Sequence, residues 1–260
     1  MREFNALNAL HQAGLTIAPH ALLLDIESYN QPVVVQSWID GNTLTQQPQT
    51  DAEWERLIEC LCQIHTIKQS QKHQIADAVL SFRNSSQGKA RVVDAITQIP
   101  TEAQLNIVKS MLNWFSQWEP PAFPEPQLAL CHSDPNWRNF ISHDNRLYVV
   151  DWENSGWGDP AFEIADMITH PAYEGVREER WEFVIQTYVQ FSNDPSSELR
   201  IRIYTIQMLM WWIIRSNRYL YEIPLGLDNR LVSRPKNWEE NSKSKLAGYV
   251  DRMKLAIAQL

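Results

Sequence analysis

The sequence of 260 residues contains few cysteines, namely Cys60, Cys62 and Cys131. The number is odd, and the chain is long enough to bury a full core, so we expect no disulfide framework and a reducing, cytoplasmic compartment. Cys60 and Cys62 lie two positions apart in a helical pattern, where they point in different directions, which argues against a metal-binding pair. We interpret them as small buried hydrophobic residues.

Positive charge is also scarce. Lysine and arginine number 23 against 31 aspartates and glutamates, which gives a net charge of -8. A nucleic-acid-binding surface is usually basic, so nucleic acid is not an expected partner. A cationic or metal-bridged small molecule suits this charge better than nucleic acid does, but on charge alone we favour an ordinary acidic surface.

Long apolar runs are missing. The most apolar stretch, residues 206–214, is far shorter than the roughly 20 residues that a membrane-spanning helix requires. The first 14 residues also lack the apolar core of a signal peptide. We therefore expect no membrane partner and predict that residues 206–214 form a buried helix.

Periodicity predicts a small α/β part at the start of the chain. Apolar residues at helical spacing over residues 2–13 are followed by Gly14, a suitable helix C-cap. Residues 21–41 have the pattern of two strands joined by a turn. Thr50 and Glu53 form a capping box at the start of the next helix.

The rest of the chain has a mainly helical pattern. It extends from residue 66 to residue 118, with a polar gap at residues 84–89, and resumes after Ala161. Between these parts, residues 140–150 alternate around a turn at Asp144 and Asn145, which predicts a β-hairpin. We therefore predict an α+β fold with a large helical part.

Polar residues suited to chemistry concentrate at residues 128–140, LALCHSDPNWRNF. The apolar run ends at His132, and Asp134 and Asn139 follow within eight residues. Counting back from the predicted hairpin turn sets Asn139 across from Val150 or Asp151. The two strand ends and the loop therefore bring together a set of oxygen donors, namely Asp134, Asn139, Asp151 and Glu153.

Such oxygen donors suit Mg²⁺, and a remaining carboxylate can accept the proton of an attacking hydroxyl, which is the combination that phosphoryl transfer needs. A His-x-Asp pair alone is explained by local hydrogen bonding, with Asp134 bound to loop amides and Asn139 in a left-handed turn. The complete pattern favours a functional site. Acidic residues beyond it are candidate amine anchors, although surface charge explains them equally well: Glu163, Asp166, Glu174 and Glu178.

Several motifs carry a family resemblance. HSDPNWRN, from His132, resembles the catalytic loop of protein-kinase-like phosphotransferases, and VVDWENSGWGDPAFEIADM closely resembles the next segment in the aminoglycoside phosphotransferase and choline kinase family. VVVQSWIDGNTL is similar to the hinge between that family's lobes, and LCQIHTI to a helix end that carries a histidine. The motifs extend from residue 1 to about residue 170.

The resemblance implies a protein-kinase-like fold. Residues 1–40 would form a truncated small N-lobe, a helix plus a β-hairpin, with the hinge, and residues 41–260 a helical C-lobe with the catalytic loop and the metal-binding hairpin. The implied activity is an ATP-dependent kinase that acts on a hydroxyl of a small molecule, such as an aminoglycoside-, choline- or sugar-like acceptor.

The resemblance also implies roles for individual residues. The catalytic residues would be Asp134, as the base, and His132, which would brace the loop. Mg²⁺ would be held by Asn139 and Asp151, with Glu153 as a further candidate. ATP would contact the hinge backbone and the helix glutamate, at Gln36, Ser37, Trp38, Ile39 and Glu3.

The sequence departs from the family at its start. Family members begin with a glycine-rich hairpin and a strand that bears a lysine, whereas here Met1 and Arg2 lead directly to Glu3. Three explanations are open: a shortened form of a longer kinase, a truncated chain without phosphate clamping, or replacement of the lost parts by other residues. We favour truncation of a recognisable kinase. Basic residues that would be available for replacement are Arg2, Lys68 and Arg138.

Two further expectations follow. The lost lysine favours an alternative function, a catalytically impaired pseudokinase or binding module. A metal-dependent phosphoesterase is a weaker alternative, because His143 and His170 are too few and badly placed to complete its ligand set. The strand around Val33–Val35 would lack its neighbour, and an exposed apolar edge of this kind predicts self-association.

Overall fold

The computed structural model describes residues 1–70, 72–228 and 234–258. The helices in these ranges are α1 (Arg2–Gln12), α2 (Asp51–Ile64), α3 (Ser85–Ala95), α4 (Asn106–Gln117), α5 (Pro160–Thr169), α6 (Glu178–Ser192), α7 (Ser197–Glu222) and α8 (Trp238–Ala258). The strands are β1 (Ala21–Asp25), β2 (Val33–Gln36), β3 (Asn42–Thr43), β4 (Ala129–Cys131), β5 (Phe140–His143), β6 (Arg146–Val149) and β7 (Gly156–Gly158). The α+β fold class is confirmed.

The strands form small antiparallel sheets, in the orders β1-β2, β3-β5-β6 and β4-β7. The predicted hairpin is present as β5 and β6, and His143 pairs with Arg146 across the turn. Asp144 and Asn145 have φ angles of 46° and 60°, as a two-residue turn that matches the twist of a hairpin requires. The turn therefore sets the register of the strands that lead to the site.

The first two helices begin and end close to where the sequence indicates. Helix α1 ends just before Gly14, which has a φ of 75°, and its apolar face buries Leu7 and Leu10. At the start of α2, the Thr50 hydroxyl accepts a hydrogen bond from the backbone N–H of Glu53. The Glu53 carboxylate in turn accepts one from the backbone N–H of Thr50. The capping box is confirmed.

The expectation for residues 66–89 is wrong in two respects. The polar stretch at 84–89 is the start of α3, because the Asn84 side chain accepts the backbone N–H of Gln87 and caps the helix. The described residues of the segment before it, 66–70 and 72–83, are not helical. This segment pairs instead with strands that are distant in sequence, through bridges from Lys68 to Ala129 and from Asp77 to Trp157.

The described chain divides into two compact units. One comprises residues 1–83 and 123–201, and the other residues 84–122 and 202–260. The lobe boundary expected near residue 40 lies inside the first unit, and the division into an N-lobe over residues 1–40 and a C-lobe over residues 41–260 stays a proposal. All of the candidate site residues belong to the first unit.

In the second unit, buried side chains of α7 form hydrogen bonds to the starts of α3 and α4. Asn217 Oδ1 accepts the backbone N–H of Leu105, which precedes α4, and Gln207 Nε2 donates to Ser85 O. Residues 206–214 are helical and largely buried, as predicted. In the part of the chain that the structure describes, no helix combines the length and the apolar character needed to cross a membrane.

Candidate active site

His132 is the first polar residue after β4, and it is completely buried. Its two ring nitrogens face backbone carbonyl oxygens, Nδ1 at 3.0 Å from Asp134 O and Nε2 at 2.9 Å from Val150 O. The ring packs edge-on against Trp152 at 4.8 Å between centroids. His132 therefore ties the loop of residues 132–139 to the end of β6, and its ring is shielded from any small molecule.

Ser133 has a φ of 62°, a left-handed conformation that is costly for a residue with a side chain. Its backbone N–H donates to Glu163 Oε1 at 2.6 Å. Glu163 Oε2 lies 2.6 Å from His65 Nε2, and His65 Nδ1 lies 3.1 Å from the Tyr188 hydroxyl. A buried chain of hydrogen bonds from α6 and α2 thus holds the strained residue next to Asp134.

His65, Glu163 and Cys131 form the one buried group of metal-ligand type found in the described residues. The 2.6 Å separation of His65 Nε2 and Glu163 Oε2 is a hydrogen-bond distance. Two ligands bound at about 2.0 Å to one tetrahedral ion would lie roughly 3.3 Å apart. Burial also raises the pKa of the Cys131 thiol well above its usual range, so the cluster acts as a hydrogen-bonded support.

Asp134 differs from the buried His132 because its side chain is 27% exposed. Its backbone carbonyl oxygen contacts His132 Nδ1 and accepts a hydrogen bond from the Asn139 side-chain amide at 3.1 Å. The Tyr173 hydroxyl donates a hydrogen bond to Pro135 O at 2.8 Å. His170 Nε2 lies 3.8 Å from the Asp134 carboxylate. The loop is fixed on both sides of an accessible carboxylate.

Asp166 lies on α5 one turn beyond Glu163, and it is 7% exposed. Burial, followed by the charges of Asp134 and Glu163, raises the pKa of its carboxyl group to about 8. No hydrogen bond to this carboxyl group is found within the described residues. A nearly buried acid without a partner, in the field of Asp134, is a candidate group for holding a ligand.

Asn139 and Asp151 lie at the open end of the β5-β6 hairpin. The Val150 N–H donates to Asn139 O at 2.9 Å, so the strand register sets Asn139 opposite Val150, one of the two positions that the sequence predicts. The Asn139 side-chain nitrogen is committed to Asp134 O, which leaves its amide oxygen for another partner. Asp151, with a φ of 68°, follows directly and has an exposed side chain.

Glu3 and Glu153 lie near Asp151. The Glu3 carboxylate accepts a hydrogen bond from the backbone N–H of Trp152. Burial and the charges of Asp151 and Glu153 raise the pKa of Glu3, and they outweigh this hydrogen bond, which lowers it. Glu153 is exposed. The oxygen donors of Asn139 and Asp151 fit Mg²⁺, a hard ion that needs one or two protein carboxylates, and Glu3 approaches them through the turn Trp152–Asn154.

Gln36 is the last residue of β2, and the other three residues that the family resemblance assigns to a hinge, Ser37, Trp38 and Ile39, follow this strand. The Ser37 N–H donates to His20 O at 2.8 Å, and its hydroxyl accepts the His20 N–H at 2.9 Å. Within the described residues the Trp38 and Ile39 amides have no intramolecular partner, and the Trp38 side chain is 86% exposed. An available backbone edge of this kind fits the adenine of a nucleotide.

The three basic residues considered as counterparts of the family's lysine lie in different settings. Arg2 is used structurally, because its guanidinium donates to Asp77 O and to Ser155 O. Arg138 lies over its neighbour Trp137 at 4.9 Å from the ring centroid, and Lys68 is exposed.

Sequence reasoning missed the supporting side chains. Glu163 appeared as an amine anchor, but its two carboxylate oxygens are used by Ser133 and His65. His170 appeared badly placed, yet it lies beside Asp134. The histidine of the LCQIHTI motif, His65, could have been identified as a site residue from the sequence. Its pairing with Glu163, 98 positions away, has no signal in the sequence.

Comparison with known proteins identifies the class. The fold is protein-kinase-like: spectinomycin phosphotransferase, solved in complex with ADP and spectinomycin, superposes with a TM-score of 0.61 over 99% of this chain and 82% of its own, at 13% identity. Choline kinase LicA from Streptococcus pneumoniae gives a TM-score of 0.54 over 95% of this chain and 78% of its own, at 18% identity. These similarities concern the fold.

The sequence places the chain in a family. It belongs to the phosphotransferase enzyme family, whose sequence profile matches residues 1–198. Protein LicA of Haemophilus influenzae is 36% identical over 66 residues, which are 25% of this chain. The match spans about a quarter (24%) of the length of that relative.

Proposed function

We propose that this protein transfers the γ-phosphoryl group of ATP to a hydroxyl group of a small acceptor molecule. The observation that carries the proposal is the accessible carboxylate of Asp134 on a loop held by buried groups, Glu163 at Ser133 and Tyr173 at Pro135. A general base needs a fixed position and access to the reacting hydroxyl. Membership of the phosphotransferase enzyme family supports the same activity.

In the proposed reaction, Asp134 takes the proton of the acceptor hydroxyl while the hydroxyl oxygen forms a bond to the γ-phosphorus. The bond between that phosphorus and the bridging oxygen breaks, and ADP leaves with the electron pair. Asn139 and Asp151 would hold Mg²⁺, with Glu153 close by. Bound Mg²⁺ supplies positive charge that neutralises the phosphate oxygens.

The nucleotide would lie against the hinge, where the backbone amides of Trp38 and Ile39 are available. The ADP in the spectinomycin phosphotransferase structure supports ATP as the phosphoryl donor. Gln36 and Ser37 would contribute by fixing the course of the backbone, since Ser37 is bound to His20. Glu3 would steady the metal side through its bond to Trp152.

For the acceptor, Asp166 favours a molecule that carries an ammonium group, such as choline or an aminoglycoside, over a neutral sugar. A nearly buried carboxyl group without a protein partner, close to Asp134, is stabilised in its charged form by a cation. The similarity to LicA proteins, one of them solved as a choline kinase, agrees with this preference. Choline and its uncharged isostere 3,3-dimethylbutan-1-ol form a matched pair of test acceptors.

The experiment measures ADP formation from Mg²⁺ and ATP with choline, an aminoglycoside or a sugar as acceptor. Asp134→Asn is expected to lower kcat by about 10²- to 10⁴-fold, the usual contribution of a general base. Asp94→Asn, an exposed change on α3, serves as the control and should leave kcat unchanged. Turnover at the wild-type rate in Asp134→Asn would exclude Asp134 as the base.

The alternative function is a pseudokinase or binding module that keeps the fold without turnover. It is favoured by the sheet of β1 and β2, which has two strands and no lysine. This alternative predicts that ATP binds and is not consumed with any acceptor, and that Asp134→Asn changes nothing.

Self-association and a cytoplasmic location complete the proposal. The β1-β2 hairpin exposes large apolar side chains, among them Leu22, Leu23, Val33 and Val35, so a second copy of the chain could extend its sheet. The three cysteines are free thiols, which is consistent with a reducing compartment.

A further inference from the structure

We infer that His170 is a positioning residue for Asp134 and that its ring fixes the direction in which the Asp134 carboxylate points. The inference rests on the proposed function, in which Asp134 is the general base. His170 follows α5 directly, and its Nε2 atom lies 3.8 Å from Asp134 Oδ1. The two residues are 36 positions apart in the chain, so no local pattern brings them together.

The tautomer of His170 follows from its other ring nitrogen. The backbone N–H of Ala172 donates to His170 Nδ1 at 3.2 Å. A ring nitrogen that accepts a hydrogen bond carries no proton, so the neutral ring carries its proton on Nε2. That N–H faces the Asp134 carboxylate.

The turn that carries His170 is tied to the same loop as Asp134. Trp137 Nε1 donates to Ala172 O at 2.8 Å, and Tyr173 OH donates to Pro135 O at 2.8 Å. Each bond joins a residue within three positions after Asp134 to a residue within three positions after His170. These bonds therefore hold the segment that carries His170 against the loop that carries Asp134.

The other hydrogen bonds found for Asp134 do not involve its carboxylate. His132 and Asn139 bind the backbone carbonyl of Asp134 and do not touch its side chain. Across residues 1–70, 72–228 and 234–258, His170 is the one side chain found in ion-pair range of this carboxylate. A separation of 3.8 Å is longer than a hydrogen bond, but catalytic contacts often shorten once the substrate is bound.

Kinetics of two variants test the inference. His170→Leu removes the donor and is expected to lower kcat by roughly 10- to 100-fold, the effect of a misplaced catalytic group, with an unchanged KM for ATP. His170→Gln keeps an N–H donor at about the position of Nε2 and should recover most of the lost rate. A merely structural role would predict equal losses in both variants.

The control is His143→Leu. His143 also lies beside a carboxylate, with Nε2 at 3.3 Å from Asp144 Oδ2, but it is an exposed residue at the end of β5, next to the hairpin turn. This variant should keep the wild-type kcat. Wild-type turnover in His170→Leu, or an equal loss in His170→Gln, would overturn the inference.

A second measurement needs no turnover. The His170 imidazole signal is titrated by NMR in the wild type and in Asp134→Asn, and it is assigned by its loss in His170→Gln. Burial lowers the pKa of His170 and the charge of Asp134 raises it, so Asp134→Asn should lower it further. An unchanged His170 titration overturns the inference whatever the activity. A lowered pKa in a protein without phosphoryl transfer would support the contact and reject the proposed function.

Discussion

Glu163 and Ser133 are joined by a hydrogen bond of 2.6 Å, from the backbone N–H of Ser133 to Glu163 Oε1. The second carboxylate oxygen contacts His65, which in turn contacts Tyr188. Ser133 has a φ of 62°, and such a conformation persists where the surroundings enforce it. The loop that carries Asp134 therefore depends on a buried acid in α5.

Replacement of Glu163 should destabilise the whole fold. Glu163→Ala leaves His65 and the Ser133 amide without their partner in a buried setting, and we expect the free energy of unfolding to fall by about 3 kcal/mol. Urea unfolding at pH 7 measures the change. Glu55→Ala, an exposed position on α2, is the control and should have an effect below about 0.5 kcal/mol.

The stabilisation by Glu163 should depend on pH. Burial raises the pKa of Glu163, but the hydrogen bond and charge of His65, the charge of His132 and the Ser133 amide outweigh it, so the pKa lies below the ordinary 4.5. The contribution is complete above pH 4.5 and is lost as the pH falls through the folded-state pKa. The difference in the free energy of unfolding between the wild type and Glu163→Ala should therefore become smaller below pH 4.5. A difference that stays constant down to pH 3 would contradict this origin.

Asp166 should act in the opposite sense. The unfolded chain releases this proton near pH 3.8, whereas the folded chain holds it up to about pH 8, so stability decreases as the pH rises between these values. Asp166→Asn removes the buried carboxyl group that causes this loss of stability. We expect the free energy of unfolding at pH 8 to rise by about 1 to 4 kcal/mol, with little change at pH 4. Urea unfolding at the two pH values, with Asp94→Asn as the control, measures the effect. Equal stability of wild type and Asp166→Asn at pH 8 would contradict it.

The exposed hairpin predicts self-association that depends on concentration. Val35→Lys places a charge on β2, where its neighbour Val33 is also exposed, and should shift the sedimentation profile towards monomer. Leu255→Lys makes the same change at an exposed position on α8 and should leave the profile unchanged. A wild-type protein that is monomeric at high concentration would exclude this surface as an interface.

Local signals predicted much of the fold. The capping box at Thr50 and the turn at Asp144 and Asn145 each depend on a few adjacent residues, and the structure has both. The predicted hairpin register set Asn139 opposite Val150 or Asp151, and in the structure it lies opposite Val150. Prediction succeeded where short-range chemistry decides the backbone.

Long-range pairing limited the rest. Residues 66–84 have a helical pattern but bridge to strands β4 and β7, a tertiary preference that outweighs helix propensity. The contacts of Glu163 with His65, and of His170 with Asp134, join residues 98 and 36 positions apart. Such partners cannot be identified from spacing, although both contacts lie at the loop that carries Asp134.

Thermal unfolding with and without Mg²⁺ and ATP tests the central claim most directly, beside an Asp151→Asn variant. A ligand at 100 times its dissociation constant should add about 2.7 kcal/mol to the stability. The account predicts that the wild type is stabilised by Mg²⁺ with ATP and that Asp151→Asn is not. If neither protein is stabilised, the nucleotide and metal site described by Trp38, Ile39, Asn139 and Asp151 is contradicted.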